Sequence, residues 1–372
     1  MQKTKVVVIH NIVSPHVTKL FQEFSKLVDL TVLYCAMGEE NRTWKGNVNG
    51  FKYKILPNYS IKFRGRDLFT YFINPTILQE IKKANPRVVI IAGWDIFAYQ
   101  VAFIYCKIKG IKVILWTGST KYEKSWRRAL SLPLVKFIIW GSDMFLAYGS
   151  RAKEYLIENG AKSKNILNYM HTLDIQKYMN HKSHQTHQVK DKKIILYYGQ
   201  LIERKGIDIL FKAFESLLKR YKNLELYIVG SGQFKNTLAK LTEKLNISEQ
   251  VKFIENPGDN KMDRYFSMAD IFVLPSREEV WGLVVNQAMA SGLPVIVSNS
   301  SGSSTDLIRN KVNGYIFKSG SVSDLKLKIE LLLKHRNVLK RMGEMSLQII
   351  KEWTPLNSAQ IMNKAVQMVG QK

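Results

Sequence analysis

Twice along this chain, short apolar runs alternate with amphipathic stretches, and between the two series the apolar pattern stops. The first series has runs at 6–10, 30–34, 88–92, 113–116 and 144–148, with helical patterns such as 74–83 and 151–159 between them. Near-continuous Val/Ile runs bounded by turns are what parallel strands buried on both faces look like. The order strand, helix, strand therefore predicts an α/β, doubly wound sheet. Residues 178–193, YMNHKSHQTHQVKDKK, carry almost no apolar content and read as a linker. The alternation restarts at 194–198, 225–229, 251–254, 271–274 and 294–297, followed by helical patterns at 325–334, 336–351 and 359–369. The expected organisation is a first Rossmann-like domain over 1–177, the linker 178–193 and a second over 194–354, with 355–372 packing back on the first. A chain of 372 residues is indeed too long for one ordinary core. Ligands of such sheets sit beyond the carboxyl ends of the strands, so the two domains are expected to face each other across a cleft.

Composition removes several classes of function. A hydrophobic share of 46% with 11% aromatics is ample for folding, which excludes a disordered chain. Cys35 and Cys106 both stand in apolar contexts, so neither a disulfide framework nor a Cys-based zinc site is expected, as suits a reducing compartment. His181, His184 and His187 lie in the polar linker with no carboxylate or cysteine arranged around them, so no metal is assigned there. The start, MQKTKVVVIHN, has an apolar run too short for a signal peptide and reads as a first strand. No window reaches the roughly 18 apolar residues of a transmembrane helix. The nearest is ALSLPLVKFIIW at 129–140, interrupted by Lys136.

Charge points outward to a partner. The 56 basic and 30 acidic residues give a net charge of +26, with 29 basic and 12 acidic residues in 1–190 against 27 and 18 in 191–372. Such an excess implies attraction to a polyanion. Lys62, Arg64 and Arg66 form one basic cluster, and Lys121, Lys124, Arg127 and Arg128 form another beside the apolar run. Basic residues next to an apolar segment favour an anionic membrane surface. A solvated lysine-rich surface without a partner is the plainer alternative. No motif with interleaved aromatics points to nucleic acid, and none is expected as a partner.

Four loops at strand ends in the second series carry the chemistry. In GQLIERKG, which opens at Gly199 and Gln200, Arg204 and Lys205 enter beside a helix start, where a cation and the positive helix end suit a phosphate. In Val229-Gly230-Ser231-Gly232 the glycines Gly230 and Gly232 permit close backbone approach. After Ile254, the backbone of Glu255-Asn256-Pro257 is placed to read a base edge. The fourth loop, SREEVWGLVVNQAMASG, sets Glu278 and Glu279 after a buried strand, turns at Trp281-Gly282 and continues as an apolar-periodic helix. Glu279 and Gln287 stand eight positions apart, about two helical turns, and so are expected to face one cleft. Two exposed carboxylates near a helix start are the bland reading of this loop, worth a few tenths of a kcal/mol. Four such loops on one sheet argue instead for a hydroxyl-rich, phosphate-bearing ligand.

The run LPSREEVWGLVVNQAMASGLPVIVS resembles the signature of the family 4 retaining glycosyltransferases (glycosyl transferases group 1), whose fold is GT-B and whose motif is a Glu, seven residues and a second Glu. The resemblance extends to GQLIERKG, IVGSG, Val312-Asn313-Gly314 and, in the first half, YGSRAKEYLIENGAKSKNI. It implies a nucleotide-sugar donor bound by the second domain, an acceptor bound by the first, retention of configuration, and no metal or cofactor. Lys205 and Arg204 would hold the donor diphosphate, and Glu279 would contact the sugar beside its anomeric carbon. Backbone amides of Trp281, Gly282, Leu283 and Val284 would bind sugar hydroxyls and phosphate, and Gln287 the ribose. Gly199, Gln200, Gly230, Gly232, Ile254 and Glu278 would complete the donor side.

Three departures from the family pattern matter. Gln287 replaces the second Glu, exchanging a charged acceptor for an amide with one acceptor and two donors. Gln200 stands where many members have Arg. The strand at 113–116 ends in Thr117-Gly118-Ser119-Thr120 where many members place a His, and NIVSPH replaces the Gly-Gly loop after strand one. His16, Thr117 and Gly118 are the acceptor-side candidates. Family acceptors are often lipid-linked glycans or surface-polysaccharide precursors, so the expected location is cytoplasmic, peripheral on the inner face of the cell membrane. The departures keep open a non-catalytic nucleotide-sugar or glycan-binding protein that retains the GT-B fold.

Overall fold

The computed structural model describes residues 3–38, 48–64, 68–122, 126–179, 192–255, 258, 262–334 and 336–370. The chain forms two compact units, Met1–Asp174 with Thr354–Lys372, and Ile175–Trp353. Linker residues 180–191 with their three histidines lie outside the described residues, as do Arg66, Lys124, Asn256 and Pro257, and the side chains of Arg64, Arg127 and Arg128.

The first unit opens with β1 (Lys5–Ile12), α1 (Pro15–Leu27), β2 (Asp29–Ala36) and β3 (Lys52–Ile55). A hairpin of β4 (Tyr59–Arg64) and β5 (Leu68–Ile73) follows, then α2 (Ile77–Ala84), β6 (Val88–Ile91), α3 (Phe97–Ile108) and β7 (Lys112–Thr117). The unit continues with α4 (Trp126–Gly141), β8 (Met144–Tyr148), α5 (Gly149–Glu158) and β9 (Ile166–Tyr169). Its sheet is parallel in the order β3-β2-β1-β6-β7-β8-β9. Alternation along each strand sends side chains to opposite faces. Val7, Ile9, Val89, Ile91, Val113 and Leu115 pack under α2 to α5, while Val6, Val8, Val88, Ile90, Ile114 and Trp116 pack on the other face under α1. Both faces being covered is the physical reason the strands read as unbroken apolar runs.

The second unit contains α6 (Gln176–Met179), β10 (Lys193–Tyr198), α7 (Ile207–Leu218), β11 (Leu224–Val229), α8 (Lys235–Lys244), β12 (Val251–Ile254) and α9 (Met262–Met268). It goes on through β13 (Ile271–Leu274), α10 (Leu283–Ala290), β14 (Val295–Ser298), α11 (Ser303–Leu307), β15 (Gly314–Phe317), α12 (Val322–Leu333) and α13 (Arg336–Ile350). Its parallel sheet has the order β12-β11-β10-β13-β14-β15. The last helix, α14 (Pro355–Gly370), belongs to the first unit, where Met362, Ala365, Val366 and Val369 join the core beneath α1. Arg87 donates to the carbonyl of Gly370 at 2.7 Å and Ser358 to that of Met170 at 2.6 Å, tying both ends of that helix down.

Both units are Rossmann-like. The four-residue strands β3, β9 and β15, and the hairpin, are too short or too mixed to show as apolar runs. The apolar run at 129–140 is the body of α4. Asn313 is buried, accepting from the Arg309 amide at 2.8 Å and donating to the Leu307 carbonyl at 3.0 Å, so its motif position serves the chain reversal into β15.

Candidate active site

In the second sheet the strand order reverses between β10 and β13, which are neighbours. Such a switch point opens a crevice beyond the carboxyl ends of the two strands. The loops leaving it are 199–206 and 275–282, the two that carry the charged residues singled out in the sequence. The Lys205 ammonium donates to the Glu279 carboxylate, and the two side chains are 12% and 11% exposed. Arg204 donates to the Glu278 carbonyl at 3.3 Å, while its own carbonyl accepts from the Arg277 amide at 2.7 Å. Arg277 then grips Asp208, in the first turn of α7, through two 2.7 Å hydrogen bonds and reaches the Glu203 carbonyl at 3.0 Å. A bidentate guanidinium–carboxylate pair fixes orientation as well as distance. The two loops are thus one rigid piece.

Glycines let the neighbouring loops close on this piece. A Cβ at Gly230 would stand 1.9 Å from the Gly199 carbonyl oxygen, and one at Gly232 would stand 2.4 Å from that of Leu201. Amides of Gly199 and Leu201 donate to Val229 and Ser231, and the Gly230 amide donates to Ile254 at 2.9 Å. Gly199, Gly230, Gly232 and Ile254 therefore come together, and the close approach Gly230 and Gly232 permit is that of one loop to the next. The Tyr197 hydroxyl holds the Gln200 carbonyl at 2.8 Å.

Burial works to raise the Glu279 carboxyl, but Lys205, Arg204 and the Trp281 amide outweigh it and hold the group below its ordinary value. It is an anion at neutral pH, facing cations. The Trp281 amide is thereby committed to Glu279. The Trp281 indole is buried, donates to Asn286 at 3.0 Å and lies against Trp353 at 5.3 Å between ring centroids. Gly282, at φ +89°, precedes α10. The Leu283 and Val284 amides open this helix, where N–H groups have no acceptor within the helix. A donor pair and a positive helix end thus begin four residues past Glu279.

Glu279 and Gln287 do not share a helix, contrary to the expectation from their spacing. Helix α10 starts only at Leu283, so Glu279 is not on it, and eight positions do not make two turns of one helix. Gln287 lies one turn in, is buried, and donates to the Tyr178 hydroxyl at 2.6 Å. In the first unit, His16 lies in the first turn of α1, and Thr117 ends β7 with its hydroxyl accepting from the Ser119 amide at 3.2 Å; Gly118 follows it. Two further histidines share the carboxyl ends of that sheet. His10, at the end of β1, lies 5.8 Å from Trp116 between ring centroids, and His171, after β9, stacks on Tyr148 at 4.1 Å. Burial first, then His16 and His10, pushes His171 down to about 3, so it is neutral at pH 7.

Residues 179–348 match the family described as Glycosyl transferases group 1. This stretch is a group 1 glycosyltransferase domain. The chain is 33% identical over 172 residues to an uncharacterized glycosyltransferase of Haemophilus influenzae, covering 44% of this chain and 48% of that protein. It is 29% identical over 160 residues to the GDP-mannose-dependent alpha-(1-6)-phosphatidylinositol monomannoside mannosyltransferase of Mycobacterium tuberculosis, covering 41% of each. The matches thus span about half or less of those relatives' length. The structure of Anabaena HepE in complex with UDP superposes with a TM-score of 0.77 at 15% identity, over 99% of this chain and 100% of that one, which shows a shared GT-B fold.

Sequence reasoning passed over several parts of this glycosyltransferase domain. Arg277 sits inside the SREE run, and Asp208 is an acid in a first helical turn, yet nothing local says that they pair. The Ser298–Ser304 turn clamps the motif from the other side. Ser298 and Ser300 donate to the Ser276 carbonyl, Ser301 donates to that of Trp281 at 2.8 Å, and the Gly302 amide donates to the backbone carbonyl of Glu279 at 3.0 Å. The repeated Ser and Gly of 298–304 are the signal that the sequence offers for this clamp.

Proposed function

We propose that the protein is a retaining glycosyltransferase that moves a sugar from a nucleoside diphosphate donor to an acceptor hydroxyl on a membrane-borne glycan or glycolipid. The observation that carries this reading is the Lys205–Glu279 pair at the switch point of a group 1 glycosyltransferase domain. An ammonium has three donors, so Lys205 can hold Glu279 and still meet phosphate oxygens. With Arg204 and the start of α10, it supplies positive charge where the leaving diphosphate gains negative charge, and this needs no metal or cofactor. The bond from the anomeric carbon to the β-phosphate oxygen breaks, its electron pair staying on the phosphate. The acceptor oxygen bonds the same face of that carbon, and its proton passes to the departing phosphate oxygen. Glu279, held anionic, stabilises the positive charge that builds on the sugar ring. A lipid acceptor accords with the name of the mycobacterial relative and with the basic excess of 1–190.

Calorimetric titration with UDP-, GDP-, ADP- and dTDP-sugars, followed by turnover and NMR assignment of the product anomer, tests the reading. One sugar nucleotide should bind and be consumed with its anomeric configuration kept, and an inverted product would refute retention. A second reading, a non-catalytic nucleotide-sugar or glycan-binding protein, draws support from Gln287, whose amide is spent on Tyr178 at the position where the resemblance places ribose recognition. Donor binding with no turnover on any acceptor or on water would favour it.

A further inference from the structure

We infer that the outward face of α3 and α4 docks onto an anionic lipid surface. Helix α4 carries apolar side chains on opposite sides: Val135, Ile138 and Ile139 enter the core, while Leu130 (72% exposed), Phe137 (54%) and Trp140 (70%) point away from it. A second apolar face on a helix normally lies against protein or lipid, and this one is left uncovered by the rest of its unit. Helix α3 extends the face with Ile108, 75% exposed, and with Ile104 one turn before it. The two helices adjoin, for Phe137 meets the buried Phe103 of α3 edge-on at 5.7 Å, and Trp140 lies over Gly160, just past α5. Exposed apolar surface on this scale marks a partner.

Charge selects the occupant. Residues 97–112 and 126–141 contain Lys107, Lys109, Lys112, Arg127, Arg128 and Lys136 and no acidic residue. Lys107 and Lys112 are paired with Asp143 at 3.2 and 3.4 Å. The cations beyond that pairing, such as Lys109 and Lys136, still leave an excess of positive charge around the apolar side chains, which suits acyl chains beneath anionic headgroups. A second copy docked through the same face would set these cations against each other. Spanning is excluded for α4, since no helix among the described residues is long and apolar enough to cross a membrane. The helix therefore lies in the interface, with Trp140 at headgroup depth. This rests on the proposed function for its purpose, since a membrane-borne acceptor is met by an enzyme already held there, but not for its geometry.

Flotation of the full chain with phosphatidylcholine vesicles, with and without phosphatidylglycerol, tests it beside the Ile108→Ser/Leu130→Ser double variant. Wild type should float only with the anionic vesicles, and the variant should lose about tenfold or more in partitioning, since two apolar side chains no longer bury in lipid. The variant's melting midpoint and its sugar-nucleotide binding should match wild type, because both residues face out. Brominated acyl chains should quench wild-type fluorescence more than that of Trp140→Phe. Undiminished flotation of the double variant, no flotation of wild type, or a lipid-free dimer that the double variant dissociates would each overturn the inference. Sugar-nucleotide turnover in vesicle-free solution is measured separately, so that failure of the enzymatic reading shows there and failure of the docking face shows only in flotation.

Discussion

The carboxyl ends of the two sheets are built from different materials. In the second unit they hold a buried ion pair, a bidentate arginine clamp and glycines pressed against carbonyls, so every charge is positioned by another. In the first unit they hold His10, Trp116, Tyr148 and His171 in a chain of ring contacts. Fixed charge answers a ligand whose charge is always the same, as a diphosphate's is. Buried aromatic rings and a neutral His171 present no such fixed charge. The same contrast separates what a short motif can record from what it cannot.

The largest expected effect breaks the charged end. Glu279→Ala or Lys205→Ala should lower turnover by about 10²–10³, the scale of removing one preorganised electrostatic partner. Each should also cost about 3–5 kcal/mol of stability in chemical denaturation, because the remaining charge is left nearly buried and unpaired. The double replacement Lys205→Met/Glu279→Leu should recover most of that stability and none of the turnover, which separates folding from chemistry. Next in size is Gly230→Ala. Its Cβ would meet a backbone oxygen at 1.9 Å, in a conformation at φ +143°, so a loss of about 2 kcal/mol or more is expected in thermal unfolding.

Arg277→Lys tests the clamp. A lysine cannot reproduce the two parallel bonds to Asp208, and about 1–2 kcal/mol should go. As a positioning residue, Arg277 should raise KM for the donor more than it lowers kcat, whereas a merely structural role would leave both unchanged in the folded fraction.

Acid separates the two ends by pH. His171 has a folded value of about 3 against roughly 6.5 unfolded. As pH falls, the unfolded chain binds this proton first, so stability drains from about pH 6.5 downward until His171 itself protonates. Glu279 has its folded value depressed, so the stability it contributes is present above about 4.5 and lost as pH falls through the folded value. His171→Gln should therefore flatten the stability profile between about pH 6.5 and 4.5 and leave the steeper loss below it in place. An unchanged profile would mean that His171 is not held neutral.

Much of this was legible in the residues. Continuous Val/Ile runs declared the buried parallel strands, and GQLIERKG with SREEVWG declared the loops at the switch point. Their meaning lay in local spacing, which a linear reading preserves. The Arg277–Asp208 clamp joins positions 69 apart, and the serine clamp joins Ser276 to Ser298 and Ser300; neither is visible without the sheet that brings them together. The Glu279–Gln287 spacing misleads because helix periodicity does not run back over Glu279 to Gly282, where the chain is not helical. The apolar run at 129–140 was evident, but only burial shows which of its residues face out.

The central claim is that the switch point of the second unit binds the diphosphate of a sugar nucleotide through Lys205. Calorimetric titration of wild type and Lys205→Ala with the nucleoside diphosphate of the donor found in the screen tests it most directly. Wild type should bind, and the variant should bind at least about tenfold more weakly while remaining folded, as expected for loss of a charge-assisted contact. Equal affinity in the two proteins, or no binding of any nucleoside diphosphate by wild type, would contradict it.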